Sequence, residues 1–214
     1  MSAFSAKSPS LAFWRNRAAK YGSRAVINVA CGDNDLRELT AKHRQIIFPL
    51  FTSVIGPQDK IALDFGCGVG RFTAEVARAL HGQAIGMDIV QTLLDLAPRS
   101  RDVEYRLISE GQIPLADCSI DVVWIFCVLG GIAERKLLGE TIFEIDRVLR
   151  PGGLVLLIEN TSDKPSAVHW IFRSYREYRR LFDFVSLEYL GDYREANERM
   201  SIMAGRKTNG SLDG

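Results

Sequence analysis

The segment of this chain best suited to chemistry is Leu63-Asp64-Phe65-Gly66-Cys67-Gly68-Val69-Gly70-Arg71. Glycines at alternate positions permit positive φ and let bare backbone come within contact distance of a ligand. Amides at the start of a following helix can accept a carboxylate or a phosphate. A dinucleotide turn reads G-x-G-x-x-G, whereas this one reads G-x-G-x-G with an acid two positions ahead of its first glycine. Asp64 therefore suits a ligand with positive charge near the turn, such as an amino group, better than a pyrophosphate. A second acid, Asp88 in Ile85-Gly86-Met87-Asp88-Ile89, lies at the interval of about 20 residues from which a carboxylate accepts hydrogen bonds from both ribose hydroxyls.

Acid–base chemistry has three histidines to draw on. His81, beside Gly82, reads as a helix C-terminal residue interacting with the helix dipole. His43, ahead of the glycine turn, and His169, far beyond it, are the candidate catalytic bases; spacing gives neither a partner. The stretch His169-Trp-Ile-Phe-Arg-Ser-Tyr-Arg-Glu-Tyr-Arg-Arg180 interleaves arginine with aromatics. It suits an amphipathic helix laid partly on a sheet, a cap over a small acceptor, or a surface that stacks and neutralises a nucleic acid strand. Phe13-Trp14-Arg15 and Tyr21 are a lid or packing for a first helix.

The elements that must position these residues alternate from Asp59 onward. Strands are expected at residues 61–64, 84–88, 103–108, 122–128 and 154–159, and helices at 71–80, 91–97 and 135–149, with Pro98 and Arg150-Pro151-Gly152-Gly153 as stops. Such alternation predicts an α/β fold: a doubly wound, mostly parallel seven-stranded sheet with helices on both faces. Two last strands are expected at 184–190 and 200–206, and helices at 11–20, 36–55 and 166–182. The chain divides into an N-terminal helical flank or lid (1–58), a core (59–206) whose insertion at 160–183 is a candidate substrate cap, and a disordered tail (207–214). Asp121 and the Arg150–Gly153 turn read as structural, Asp121 satisfying loop amides.

Composition sets the outer limits. A chain of 214 residues with 47% hydrophobic residues can bury a full core. With 27 Lys+Arg against 26 Asp+Glu, net charge +1 provides no global field for a polyanion or an anionic membrane. The longest apolar run, Val122 to Ala133, is too short to span a bilayer and is interrupted by Gly130-Gly131. Four cysteines without a C-x-x-C pair, and a start lacking the pattern of a signal peptide, lead to the expectation of a cytoplasmic protein with free thiols. No metal is expected, and a monomer or homodimer is.

In order, Leu63 to Thr73, Gly86-Met87-Asp88, Ile113-Pro-Leu-Ala-Asp-Cys-Ser-Ile-Asp-Val-Val123 and Ile145-Asp-Arg-Val-Leu-Arg-Pro-Gly-Gly-Leu154 resemble the class I S-adenosylmethionine-dependent methyltransferases, over about residues 44–160. The resemblance implies S-adenosylmethionine as cofactor and S-adenosylhomocysteine as product. It implies that Asp64 and the turn Gly66, Cys67, Gly68, Gly70 and Arg71 hold the methionine part, Asp88 the ribose and Ile89 the adenine face, with Phe126 and Cys127 bordering the sulfonium. Two departures from the family pattern stand out. Ser109 occupies the position where relatives often place an Asp for the adenine amino group, so Glu110 or a backbone carbonyl must serve. Gly130-Gly131 stand where many relatives carry a histidine. The expectation is a methyltransferase acting on an oxygen or nitrogen of a small metabolite, a sugar among the candidates. The sequence lacks the motifs of base-methylating enzymes. The alternatives are an RNA or protein methyltransferase and a non-catalytic cofactor-binding partner subunit.

Overall fold

The computed structural model describes residues 9–28, 35–109 and 111–208. Seven strands form one sheet in the order β3-β2-β1-β4-β5-β7-β6. They are β1 Ile61–Phe65, β2 Gln83–Asp88, β3 Val103–Leu107, β4 Ile120–Phe126, β5 Leu149–Asn160, β6 Glu188–Glu195 and β7 Glu198–Arg206. β1 to β5 pair in parallel, and β7 lies antiparallel between β5 and β6. The helices are α1 Pro9–Tyr21, α2 Leu36–Val54, α3 Thr73–Ala79, α4 Gln91–Leu94, α5 Arg135–Val148 and α6 Tyr175–Leu181. This is the expected α/β architecture. Because strand order reverses between β1 and β4, a crevice opens outside their carboxyl ends, where the glycine turn and Phe126-Cys127 lie.

Side chains alternate across the strands and fill two cores. Leu63, Phe65, Val123, Ile125, Val155 and Leu157 face one side, with Ile145 of α5. Ala62, Val122, Trp124, Leu154, Leu156 and Ile158 face the other. There Trp124 meets the rings of Phe48, Phe51 and Phe72 at centroid distances of 5.3, 5.1 and 5.7 Å, so α2 is part of the fold's second face. The opposite end of the sheet is tied by charge. Asp121 accepts the amides of Lys60 and Ile61, both at 2.8 Å, and the Arg150 guanidinium at 2.5 Å, while buried Asp59 pairs with Arg150 and Arg206. These bonds hold the Asp121 carboxyl below its ordinary value against the pull of burial.

Several boundaries move for identifiable reasons. The expected helix over 166–182 is helical only as α6. Ser174 and Glu177 form a reciprocal capping box that starts the helix there. The preceding residues make an isolated bridge between Ala167 and Trp170, and the Ile171 amide donates to the Gly130 carbonyl. The strand expected at 184–190 runs instead from Glu188 to Glu195, with a register shift between Tyr189 and Gly191. The fourth strand ends at Phe126 because Cys127 takes a φ of 56°. In the expected tail, Lys207 is fixed: its amide donates to Gly153 and its Nζ to the carbonyl of Asp146. Residues 209–214 lie outside the described residues.

Candidate functional site

The crevice divides into two adjoining cavities that share Trp14, Val26, Phe126 and Cys127 in their walls. The first, about 940 Å³ including its mouth, lies along the glycine turn. β1 delivers the chain into the turn, whose Gly66 and Cys67 amides both donate to the Met87 carbonyl at the end of β2. Gly68, at φ 56°, donates to Asp88 Oδ2 at 2.8 Å, and Val90 donates to Oδ1 at 2.9 Å. A Cβ on Gly68 would stand 2.5 Å from the Val26 side chain, so glycine is what lets the N-terminal flank seal the turn. Ile89, Ile108 and Ile113 give this cavity an apolar slot, with Ser109 and Gln112 at its edge.

Electrostatics here are set by desolvation. Burial pushes the Asp64 carboxyl up to about 7, with the Thr73 hydroxyl at 2.5 Å opposing and nearby Asp88 adding to the rise. Asp88 is raised too, by burial, against the amides of Gly68 and Val90 that favour its ionised form. The Cys67 thiol is pushed up by burial and by these two acids.

The second cavity, about 1050 Å³ with its mouth, is lined by residues that converge from distant parts of the chain. α1 contributes Phe13, Trp14 and Arg17; α2 contributes His43; the segment before α6 contributes His169, Trp170 and Phe172; and the β6–β7 hairpin contributes Glu195 and Glu198. His43 is buried, its Nε2 2.6 Å from Glu195 Oε2 and its Nδ1 2.8 Å from Arg71 Nη2. Arg71 also donates to Thr40 and lies over the Phe126 ring at 5.4 Å. Glu198 accepts from Asn28, Asn160 and Lys164. The roof is aromatic: Phe13 stacks on His169 with centroids 4.1 Å apart.

Gly130 and Gly131 have a geometric explanation. A Cβ on Gly130 would fall 2.5 Å from the Trp170 ring, and one on Gly131 2.8 Å from Trp14. These two glycines thus form a bare floor under two tryptophans. Beneath it, Glu159 at the end of β5 accepts the amides of Val128 at 2.8 Å, Leu129 at 2.7 Å and Gly130 at 3.4 Å. Full burial nonetheless pushes its carboxyl up to about 7.

The expected site residues thus fall into three groups. Gly66, Gly68, Asp88, Ile89 and Ser109 line the first cavity, with Phe126 and Cys127 between the two. Arg71, expected on the cofactor, lines the second cavity because its guanidinium is drawn to Thr40 and His43. Asp64, Cys67 and Gly70 line neither; Asp64 is turned to Thr73 and acts by fixing the turn onto α3. Glu110 lies outside the described residues. His43 is no free base, since both ring nitrogens are engaged; His169 is exposed on the rim. The arginine-rich stretch is split as well. Arg173 points inward and donates to the Leu129 and Ile132 carbonyls, while Arg176, Arg179 and Arg180 are exposed on α6 and line neither cavity. Sequence reasoning missed Glu195, Glu198 and Glu159. The first two flank the Ala196-Asn197 turn, and an Asn between two alternating runs was the one available signal. Among the described residues no cluster of His, Cys, Asp and Glu suits a metal ion, and no helix is long and apolar enough to cross a membrane.

Comparison with known proteins gives this geometry a context. The family model described as a methyltransferase domain matches residues 63–157. An uncharacterized methyltransferase-like protein of Schizosaccharomyces pombe is 33% identical over 115 residues, 53% of this chain and 43% of that protein. A malonyl-[acyl-carrier protein] O-methyltransferase of Yersinia pestis is 27% identical, over 61% of this chain and 48% of its own length. The chain thus spans about half the length of these curated relatives. Among solved structures, phosphoethanolamine N-methyltransferase 1 of Haemonchus contortus, in complex with phosphoethanolamine and S-adenosylhomocysteine, superposes with a TM-score of 0.71 at 16% identity, covering 96% of this chain and 49% of that one. That likeness is one of fold.

Proposed function

We propose, for a chain that belongs to the class I S-adenosylmethionine-dependent methyltransferases, that it transfers a methyl group from S-adenosylmethionine to a small molecule held in the second cavity. The observation that carries this reading is the shared wall: two cavities of small-molecule size meet at Phe126 and Cys127. The residues of the first cavity fit the cofactor. Asp88 stands at the end of β2 with its carboxylate already oriented by two amides, and each oxygen keeps a lone pair for a ribose hydroxyl. Ile89, Ile108 and Ile113 offer apolar faces for the adenine, with Ser109 and Gln112 at its polar edge. S-adenosylmethionine supplies a methyl group on a sulfonium that leaves as a neutral thioether. The protein's share is then alignment of the acceptor, which is catalysis by proximity.

The names of the relatives span oxygen and nitrogen acceptors, so the second cavity, rather than the family, decides the acceptor. Its aromatic roof and mixed polar floor suit an oxygen or nitrogen of a small metabolite, sugars included. The outward side chains of α6 line neither cavity, which argues against a nucleic acid strand led to the methyl group by that helix. The test is release of S-adenosylhomocysteine over a panel of sugars, amines and phenols, with cofactor affinity measured by calorimetry. Binding with turnover of a panel member supports the reading. No measurable affinity for S-adenosylmethionine overturns it.

A further inference from the structure

The second cavity holds a one-way chain of hydrogen-bond donors. Arg71 Nη2 lies 2.8 Å from His43 Nδ1, and a guanidinium only donates, so Nδ1 is an acceptor and carries no proton. The neutral ring must then bear its proton on Nε2, which lies 2.6 Å from Glu195 Oε2 and donates to it. Glu195 is therefore the acceptor of that bond, and donation runs from Arg71 through His43 to its carboxyl group. Both ring nitrogens are thereby engaged, so the ring offers no free lone pair to an acceptor. Glu195 is also held in place by backbone. Ala196 and Asn197 both have positive φ, 47° and 64°, in a two-residue turn that fixes Glu195 opposite Glu198.

We propose, resting on the reading that this cavity holds the acceptor, that Glu195 takes the acceptor's proton during methyl transfer, with Arg71 and His43 as positioning residues. The acceptor is accordingly a compound with a neutral O–H or N–H group. The side chain of Glu195 is 13% exposed in the wall of the cavity that Trp14, Phe126 and Trp170 also line. The other charged and titratable groups of the lining are Arg17, which donates to the carbonyls of Ala25 and Ile27, Glu198, held by Asn28, Asn160 and Lys164, His169 on the rim, and Cys127, whose thiol is pushed up by burial and by nearby acids including Glu195. The step balances. The acceptor's lone pair forms the new bond to carbon, the sulfur–carbon pair returns to sulfur, and the acceptor's proton passes to a Glu195 oxygen. The positive charge of the sulfonium and the negative charge of Glu195 disappear together. A carboxylate acceptor has no proton to give and would confront Glu195 directly.

The first readout needs no acceptor. Long-range 15N–1H spectra of histidine-labelled protein, with the His43 signal identified by its loss in His43→Asn, should show a neutral ring protonated on Nε2 at pH 7. A ring protonated on Nδ1, or on both nitrogens, overturns the proposal. The second uses glucose, catechol, ethanolamine and tyramine as probes beside acetate and benzoate, in the presence of S-adenosylmethionine. Turnover is expected for a hydroxyl or amine probe, with Glu195→Gln lowering kcat at least tenfold and changing cofactor affinity less than twofold. Unchanged kcat in Glu195→Gln, or methylation of the carboxylates alone, overturns the proposal. Cofactor binding without turnover of any O–H or N–H probe overturns it too, while leaving the cofactor cavity standing. Failure to bind the cofactor overturns the proposed function instead.

Discussion

The two cavities share a wall and are built by different means. The first has a local floor: β1, the glycine turn and β2 supply it between Ile61 and Asp88, with hydrogen bonds from backbone amides such as those of Gly68 and Val90, while Trp14, Val26 and Ile113 close it from farther along the chain. The second is assembled at long range. His43 reaches Glu195 across 152 positions and Arg71 across 28, and its roof forms where α1 meets the segment before α6 at the Phe13–His169 stack. The first cavity is thus tied to the sheet, and the second rests on side chains from elements that touch only once the chain is folded. Substitutions should accordingly separate the two, with effects on cofactor binding confined to the first and effects on turnover to the second.

The strongest way to break that division is Asp88→Ala. Removing a carboxylate that would hold two ribose hydroxyls costs about 2 kcal/mol or more, and cofactor affinity measured by calorimetry should fall about tenfold to a hundredfold. Unchanged affinity would remove Asp88 from the cofactor site. A second measurement concerns pH. Asp64 and Glu159 ordinarily titrate at 3.8 and 4.5, and burial raises both to about 7. Between these values the folded state holds protons that the unfolded chain has released. Stability should therefore fall as pH rises from about 4.5 to about 7, at up to roughly 1.4 kcal/mol per pH unit for each group. Urea melts across this range check the slope, and Asp64→Asn, which can still accept from Thr73, should flatten its share. A flat profile across this range would show that both acids stay ionised in the folded protein.

Gly131→Ala sharpens the account of the floor. The added Cβ would meet the Trp14 ring at 2.8 Å, so Trp14 must shift and stability should drop by about 1–3 kcal/mol, with a change in tryptophan fluorescence. Unchanged fluorescence and stability would mean that Trp14 does not need the bare glycine. The smallest expected effect is that of His169→Ala. Loss of its stack on Phe13 is worth about 1 kcal/mol, so turnover should fall a few-fold with cofactor affinity unchanged. A loss of cofactor affinity equal to that of Asp88→Ala would merge the two cavities into one.

Legibility follows the same division. The order of strands and helices from β1 to β5 could be read because apolar periodicity and glycine punctuation act over a few residues. The helix expected over 166–182 was too long because the Ser174–Glu177 capping box competes with a pull on Ile171 and Arg173 from the loop after β4. That pull has no local trace. Arg71 adjoins the glycine turn, and its guanidinium bonds Thr40 and His43 of α2, partners 31 and 28 positions away.

By itself the sequence determined the glycine turn, the acid at the end of β2 and the parallel sheet that presents them, since each is fixed by residues close in the chain and by backbone conformations that few side chains permit. Only the tertiary structure decided that His43 would link Arg71 to Glu195, that two glycines would make room for two tryptophans, and that the β6–β7 turn would reach the crevice. A buried ring's proton is placed by whichever donors and acceptors the fold brings within about 3 Å, and distance along the chain carries no record of them.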